Sequence, residues 1–298
     1  MSQVSCLLGL SRMAKVEVEK ARELGFCLGV RRAIKIIETA AREHEGIATL
    51  GPIVHNQMVV TRLADMGVRA VTEPDQLRGG IIAIASHGIS PELLSQIQAQ
   101  QLRVIDTTCP IVRSAQKAAQ KLSELGFGVV IYGEATHPEV KGLLGWAGTG
   151  AIATLDGKEI ATLGLPRRLG IISQTTQSHS QFAEFTSRVI SDAFPYVREL
   201  RIINTLCQET QKRQEAALEL AVKSELMIVV GGHNSANTQR LAEVCSPIVE
   251  THLIETAVEI EEGWLSGKRH VGVTAGASTP DEAIDEVALK LKSFAVSD

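Results

Sequence analysis

Cys27, Cys109 and Cys207 each sit in a short turn between an apolar run and a helix-like segment, a placement that suits one shared metal site. The turns read Gly25-Phe26-Cys27-Leu28-Gly29, Asp106-Thr107-Thr108-Cys109-Pro110 and Asn204-Thr205-Leu206-Cys207-Gln208, and the last two share a Thr-x-Cys core. Separations of 82 and 98 residues exclude a zinc knuckle or a thioredoxin-type Cys-x-x-Cys, whose ligands lie a few residues apart. Each cysteine lies at or near a helix start, where the dipole favours thiolate. With three thiolates and no local fourth Cys or His, an iron-sulfur cluster is favoured over structural zinc. A 4Fe-4S cluster held this way keeps one iron open, able to bind an oxygen as a Lewis acid and to pass electrons.

The apolar runs that read as strands end in polar loops. Ile47-Leu50 leads to His55-Asn56, Ile81-Ala85 to Ser86-His87-Gly88, and Val129-Tyr132 to Glu134 and His137-Pro138-Glu139. In the second half Leu169-Ile172 leads to Gln174-Thr175-Thr176, Met227-Val230 to Asn234-Ser235-Ala236-Asn237, and Val271-Val273 to Ala275-Gly276-Ala277-Ser278. Ligands of parallel α/β sheets bind at the carboxyl ends of strands, so these loops are expected to converge on one pocket. Small donors such as Ser235, Asn237 and Ser278 beside glycines, with His55 and His87, suit an anion such as phosphate. His137 and Glu139 put an imidazole and a carboxyl in one turn, suited to proton delivery. Each has a plainer reading, since Ser and Asn are common helix caps and a lone His is more often packed than functional.

These residues need a scaffold of βα units. Apolar runs of four to six residues alternate with amphipathic stretches of 11 to 17, and none of the runs alternates polar with apolar, which predicts α/β architecture with buried parallel sheets. Helices are expected after each cysteine, from Val30 to about His44, from Pro110 to about Gly126, and from about Glu209 to Ser224. The charge runs around Lys117-Lys121 and Lys212-Arg213 read as solvated helix faces. At 298 residues with 44% hydrophobic content, the chain can bury large cores in two or three domains. A net charge of -4 and 3% aromatic content leave neither a basic footprint nor stacking platforms for nucleic acid.

Five cysteines, thinly spread, suit a reducing cytosol and no disulfide is predicted. Cys245, in a helical context, and Cys6 read as small hydrophobes. Val4 to Leu10 is too short to span a bilayer and lacks the flanks of a signal peptide. The first dozen residues read as a disordered leader, and Met13 as an alternative start. No membrane association is expected.

Eight ordered motifs carry a resemblance. Gly25-Phe26-Cys27-x-Gly29-Val30, His55-Asn56, Ser86-His87-Gly88, Asp106-x-Thr108-Cys109-Pro110, His137-Pro138-Glu139, Gln174-Thr175-Thr176, Asn234-Ser235-x-Asn237-Thr238 and Thr274-Ala275-Gly276-Ala277-Ser278-x-Pro280-Asp281 look like those of the hydroxymethylbutenyl diphosphate reductase family. The likeness runs from about residue 16 to the C-terminus; Leu28, Thr107 and Leu206 depart from the commoner Ala, Ala and Ile without removing a reactive group.

The resemblance implies three small α/β domains with parallel sheets in pseudo-threefold arrangement around a central cluster. The boundaries it suggests are a leader at 1-15, a segment carrying the first cysteine at 16-28, and domains at 29-109, 110-205 and 206-298. It implies a cytoplasmic enzyme, monomer or weak dimer, that removes the allylic hydroxyl of a diphosphate-bearing alcohol in the last step of the methylerythritol phosphate route. Its electrons would come from ferredoxin or flavodoxin with a reductase. By motif match Cys27, Cys109 and Cys207 would hold one 4Fe-4S cluster, and Glu139, Thr175 and His137 would be catalytic. His55, His87, His137, Thr175, Ser235, Ala236, Asn237 and Ser278 would bind substrate. Two readings from other classes stay open: a quinolinate synthase-like dehydratase, and a non-catalytic phosphate-ligand or iron-sulfur sensing protein.

Overall fold

The computed structural model describes residues 16-73, 80-162 and 166-294. The leader, with Cys6 and Met13, lies outside the described residues. Among the described residues twelve strands form three four-stranded sheets, and every ladder between them is parallel.

The first sheet holds β2 (Ile47–Leu50), β3 (Val68–Val71), β4 (Ile81–Ile84) and β5 (Arg103–Asp106), in the order β3-β2-β4-β5. The second holds β6 (Gly128–Tyr132), β7 (Ile152–Thr154), β8 (Arg168–Ser173) and β9 (Glu199–Ile202), in the order β7-β6-β8-β9. The third holds β10 (Leu226–Val230), β11 (Thr251–Ile254), β12 (His270–Ala275) and, from the other end of the chain, β1 (Glu17–Lys20). Its order, β11-β10-β12-β1, is the same second-first-third-fourth pattern. The three sheets are one design used three times, with the fourth strand of the last copy supplied by the N-terminal segment. β1 pairs with β12 from Glu17 opposite His270 to Lys20 opposite Val273.

Central strands are apolar on both faces because helices cover both. In β10, Leu226, Ile228 and Val230 join one core while Met227 and Val229 join another, and β6 divides Val129 and Ile131 from Val130 and Tyr132 in the same way. Full burial of each such side chain contributes roughly 1.5 to 3 kcal/mol, so continuous apolar runs are the sequence form that a two-faced sheet requires. The edge strands β1, β3, β5, β7, β9 and β11 are less buried, which is why hydrophobicity marks the central strands more strongly.

The helices after the cysteines are α1 (Leu28–Glu43), α4 (Pro110–Glu124) and α8 (Gln208–Ala221); α2 is Gln57–Asp65, α3 Pro91–Ala99, α5 Pro138–Ala147, α6 Gly157–Thr162, α7 His179–Ala193, α9 Ala236–Cys245 and α10 Asp281–Ser293. Pro91, Pro110 and Pro138 occupy first helical positions, where the missing N–H costs nothing. Cys245 ends α9 fully buried among apolar neighbours, as a small hydrophobe.

A second-first-third-fourth strand order reverses direction between its first and third strands. That reversal opens a crevice beyond their carboxyl ends. Each sheet therefore offers two loops, after its first and third strands, and these are the six loops that carry the candidate residues.

Candidate active site

Each cysteine follows the fourth strand of one sheet and is the N-cap residue of the helix that opens the next: Cys27 for α1, Cys109 for α4, Cys207 for α8. One backbone device pins all three. The Cys27 amide donates to Ala277 O (3.1 Å), the Cys109 amide to Ser86 O (2.9 Å) and the Cys207 amide to Thr175 O (2.9 Å). In every case the acceptor belongs to the loop after the third strand of the preceding sheet, so each cysteine is registered against a loop that also carries a candidate ligand contact.

The thiols are partly buried and all line one cavity with His55, His87, His137, Glu139, Thr175, Ser235, Ala236, Asn237 and Ser278. Gly29 shapes the wall between two of them. A Cβ there would lie 2.7 Å from the Cys109 sulfur and 3.8 Å from that of Cys27. The Cys27 sulfur accepts from the Val30 amide at 3.4 Å. At Cys109 burial outweighs donation by the amides of Ile111 and Val112, and the thiol is pushed up from its ordinary value, with the other two cysteines adding to the rise. The lowering expected from the helix start is thus overcome by burial at this cysteine.

Glu139, at the second position of α5, is the most deeply buried carboxyl in the site. Its Oε1 accepts from the Thr175 amide (2.7 Å) and its Oε2 from the Thr175 hydroxyl (2.9 Å). Burial pushes it up to about 7 against those two hydrogen bonds, leaving a carboxyl poised to give or take a proton near neutrality. His137 caps α5, its Nδ1 accepting from the Glu139 amide at 3.1 Å, so Nε2 carries the hydrogen of the neutral ring.

The imidazoles form a cluster. The His55 ring stacks at 5.8 Å from His87 and lies 5.9 Å from His137. Burial, then mutual repulsion, lowers His87 and His137 to about 4, and burial lowers His55 as well. His55 Nε2, His87 Nε2 and both side-chain atoms of Asn237 are buried without a hydrogen-bond partner. Unpartnered polar atoms of this kind are rare in folded proteins, and here they gather in one cavity, which is the arrangement of a site that waits for an anion. Ser235 caps α9 through the Thr238 amide (3.4 Å) and retains its hydroxyl proton for a ligand. Ser278 donates to His55 O at 3.2 Å, joining the third sheet's loop to the first's. Gly232 meets the same carbonyl so closely that a Cβ would lie 2.5 Å from it.

Sequence reasoning misread one contributor, Arg213, and named two others, Gln174 and Asn56, without a role. Arg213 lies on a charged run expected to be solvated, yet its side chain is 4% exposed. It donates from Nε and Nη2 to Gly25 O, at 3.3 and 3.2 Å, so the helix capped by Cys207 holds the turn that carries Cys27. A single Arg in a Lys-Arg pair carries no signal of this, because α8 packs there against a carbonyl from the far end of the chain. Gln174 accepts from the Glu134 amide at 3.1 Å and ties the Thr175 loop to the His137 loop. Asn56 is buried as the cap of α2, its amide nitrogen unpartnered.

With this geometry in view, comparison with known proteins decides the family. The model of the LytB protein family matches residues 18–292. The chain belongs to the LytB family. A 4-hydroxy-3-methylbut-2-enyl diphosphate reductase of Dehalococcoides mccartyi (strain CBDB1) is 48% identical over 273 residues, 91% of this chain and 96% of that one. Its counterpart in Geobacter metallireducens is 42% identical over 280 residues, covering 94% and 98%. Among solved structures, an (E)-4-hydroxy-3-methyl-but-2-enyl diphosphate reductase described as the terminal enzyme of the non-mevalonate pathway is 37% identical, with TM-score 0.67 and coverage of 94% and 100%. The Plasmodium falciparum reductase of the family is 25% identical with TM-score 0.85, covering 91% and 86%. Among the described residues no helix is long and apolar enough to cross a membrane.

Proposed function

We propose that this LytB family member is a 4-hydroxy-3-methylbut-2-enyl diphosphate reductase. The reaction is R–OH + 2 e⁻ + 2 H⁺ → R–H + H₂O, which turns the allylic alcohol into isopentenyl and dimethylallyl diphosphate. The observation that carries the reading is one cavity lined at once by three cysteine thiols, by buried unpartnered imidazole and amide atoms, and by the hydrogen-bonded Glu139–Thr175 pair. Family membership favours this reading over the dehydratase and sensor readings.

The donor set fits an iron-sulfur cluster. The three thiols border one cavity whose wall at Gly29 is bare of side chain. Cys27, Cys109 and Cys207 would hold a 4Fe-4S cluster, which when bound supplies electrons and an open Lewis-acid position. The protein's own groups supply the rest. Glu139, protonated at and below about pH 7, delivers the proton that makes the departing oxygen into water. Thr175, already bonded to that carboxyl, orients the hydroxyl. His137 assists from Nε2. His55, His87, Ser235, Ala236, Asn237 and Ser278 grip the diphosphate and fold the substrate so that its carbon skeleton stays in the cavity. The domain boundaries at 29-109, 110-205 and 206-298 belong to the same reading, since each of the first two joints falls at a cysteine turn.

The test is anaerobic turnover of the allylic diphosphate by cluster-loaded protein with a reduced viologen. Substrate-dependent oxidation that yields both isoprenoid diphosphates is expected. Full iron content without turnover would overturn the reductase reading and favour a dehydratase or sensor on the same scaffold.

His87 adds a pH prediction. Its Nδ1 lies 3.0 Å from Gly88 O, which can only accept, so the hydrogen of the neutral ring sits on Nδ1 and Nε2 faces the cavity as a bare lone pair. A phosphate oxygen is also an acceptor, so His87 must be protonated to hold it. Binding of an alkyl diphosphate, which unlike inorganic diphosphate is largely free of its own proton at pH 7.5, is expected to take up about one proton, and affinity to fall as pH rises. Calorimetry in buffers of different ionisation enthalpy measures the uptake; a value of zero would remove His87 from the phosphate grip.

A further inference from the structure

The reaction proposed above, on which this inference rests, consumes two electrons. The sequence carries no Gly-x-Gly-x-x-Gly fingerprint for a dinucleotide, so a separate carrier must approach where the cysteines come nearest the surface. The first turn of α1 is such a place. Cys27 is its cap, and Gly29 abuts the Cys109 sulfur. Leu28, between them, is 73% exposed, and Ile111, two residues after Cys109, is 42% exposed. Large apolar side chains left in water beside two cysteines of a redox site are what a transient interface centre requires.

The surroundings carry one sign of charge. Arg32 and Lys35 follow Leu28 on the same stripe of α1, and an open groove of about 490 Å³ continues along the helix past Lys35 to Arg103 and His44. Arg32 donates to Thr108 O (3.3 Å), which places the basic end of this stripe against the residue before Cys109. Arg31 and Arg113 are matched by Asp281 and Asp106. Arg32, Lys35 and Arg103 have no carboxylate partner among the described residues, and Glu43 is the acid that shares their groove. In a chain of net charge -4 this is a local reversal of sign. By contrast the groove that reaches Cys207 from outside is lined by Ile111, Ala118, Ile203 and Leu206 with Glu209, and has no cation.

We propose that the exposed face of α1, from Leu28 through Arg32 and Lys35 to Arg103, docks a small acidic protein that carries a one-electron redox centre near its surface. Two carriers are oxidised by one electron each per turnover, and the pair of electrons with two protons converts the allylic alcohol to the alkenyl diphosphate and water. Charge complementarity of this sort governs encounter rate and salt dependence more than the chemical step.

The experiment compares two donors on the cluster-loaded, full-length protein: reduced viologen, and an acidic plant-type ferredoxin kept reduced by its own reductase. For Lys35→Glu combined with Arg103→Glu, the KM for ferredoxin is expected to rise about tenfold or more and its salt dependence to flatten. Iron content and the viologen-driven rate should stay at the wild-type level, and Lys292→Glu on α10 should change neither donor. The neutral pair Lys35→Gln and Arg103→Gln, expected to fall between, serves if the charge-reversed protein does not accumulate. An unchanged ferredoxin KM, or wild-type protein that turns over with viologen and not with ferredoxin, overturns the docking face. Failure of viologen turnover in the wild type would instead overturn the proposed reaction.

Discussion

Replacing Glu139 by Gln is expected to lower kcat by about 10² to 10⁴-fold with fold, iron content and substrate affinity retained, because one positioned proton donor is typically worth that factor. The substitution is nearly isosteric, and the local hydrogen bonds survive it. The Gln oxygen still accepts from the Thr175 amide, and the Thr175 hydroxyl, now a donor to Oε2, turns to accept from the new amide nitrogen. What is lost is the exchangeable proton. The wild-type pH profile provides the sign. Burial holds Glu139 at about 7, so the acid form dominates below that pH and is lost as pH rises through it. Activity of the wild type with viologen should therefore fall on the alkaline side with an apparent midpoint near that value, and the Glu139→Gln protein should lack that limb. Near-normal turnover of Glu139→Gln would reject the role.

Gly29→Ala is expected to separate the needs of the fold from those of the cluster. Gly29 is in the first turn of α1, where Ala by itself favours the helix by up to about 1 kcal/mol. In metal-free protein the Cys109 thiol can rotate away from a Cβ placed 2.7 Å from it, so thermal stability should hold or rise slightly. In protein loaded with the proposed cluster that sulfur would be fixed by its metal and could not give way. Overpacking of that kind costs about 1 to 3 kcal/mol, which weakens cluster retention roughly five- to 150-fold. Iron and sulfide content after anaerobic reconstitution and desalting measure it, with melting of the metal-free protein as the control. Full iron content in Gly29→Ala would show that Cys109 is not held beside Gly29 by a cluster; loss of both stability and iron would mark a merely structural glycine. Cys109→Ser should lose iron too, without the gain in helix propensity.

Much of this molecule is legible one residue at a time. The six buried strands are visible because a parallel sheet covered on both faces demands unbroken apolar runs, and β2, β4, β6, β8, β10 and β12 all have them. Helices α1 and α4 announce themselves by their amphipathic period and, at α4, by Pro110, whereas α8 shows that period weakly because it buries Thr210, Arg213 and Gln214. Strands β3, β7 and β11 give no comparable signal, because edge strands are half-exposed and carry weaker patterns. β1 is invisible as part of the third sheet for a different reason: its partner β12 lies near the opposite end of the chain, and no local signal records a pairing of that range.

The same division runs through the site. The chain alone pointed to the residues proposed to carry chemistry, since Cys27, Cys109, Cys207, His137-Pro138-Glu139 and the polar loops stand in turns that suit ligand contact or capping. Residue type and the local turn are set by neighbours in sequence. Tertiary structure decided which of them meet. The second-first-third-fourth strand order brought six loops from three sheets to one cavity, and it pinned each cysteine amide to a loop carbonyl of the preceding sheet. It also turned Arg213 inward to hold Gly25 and raised Glu139 to about 7 by burial. Burial, proton affinity and convergence depend on what lies within a few ångströms in space, and in this fold those neighbours come from opposite ends of the chain.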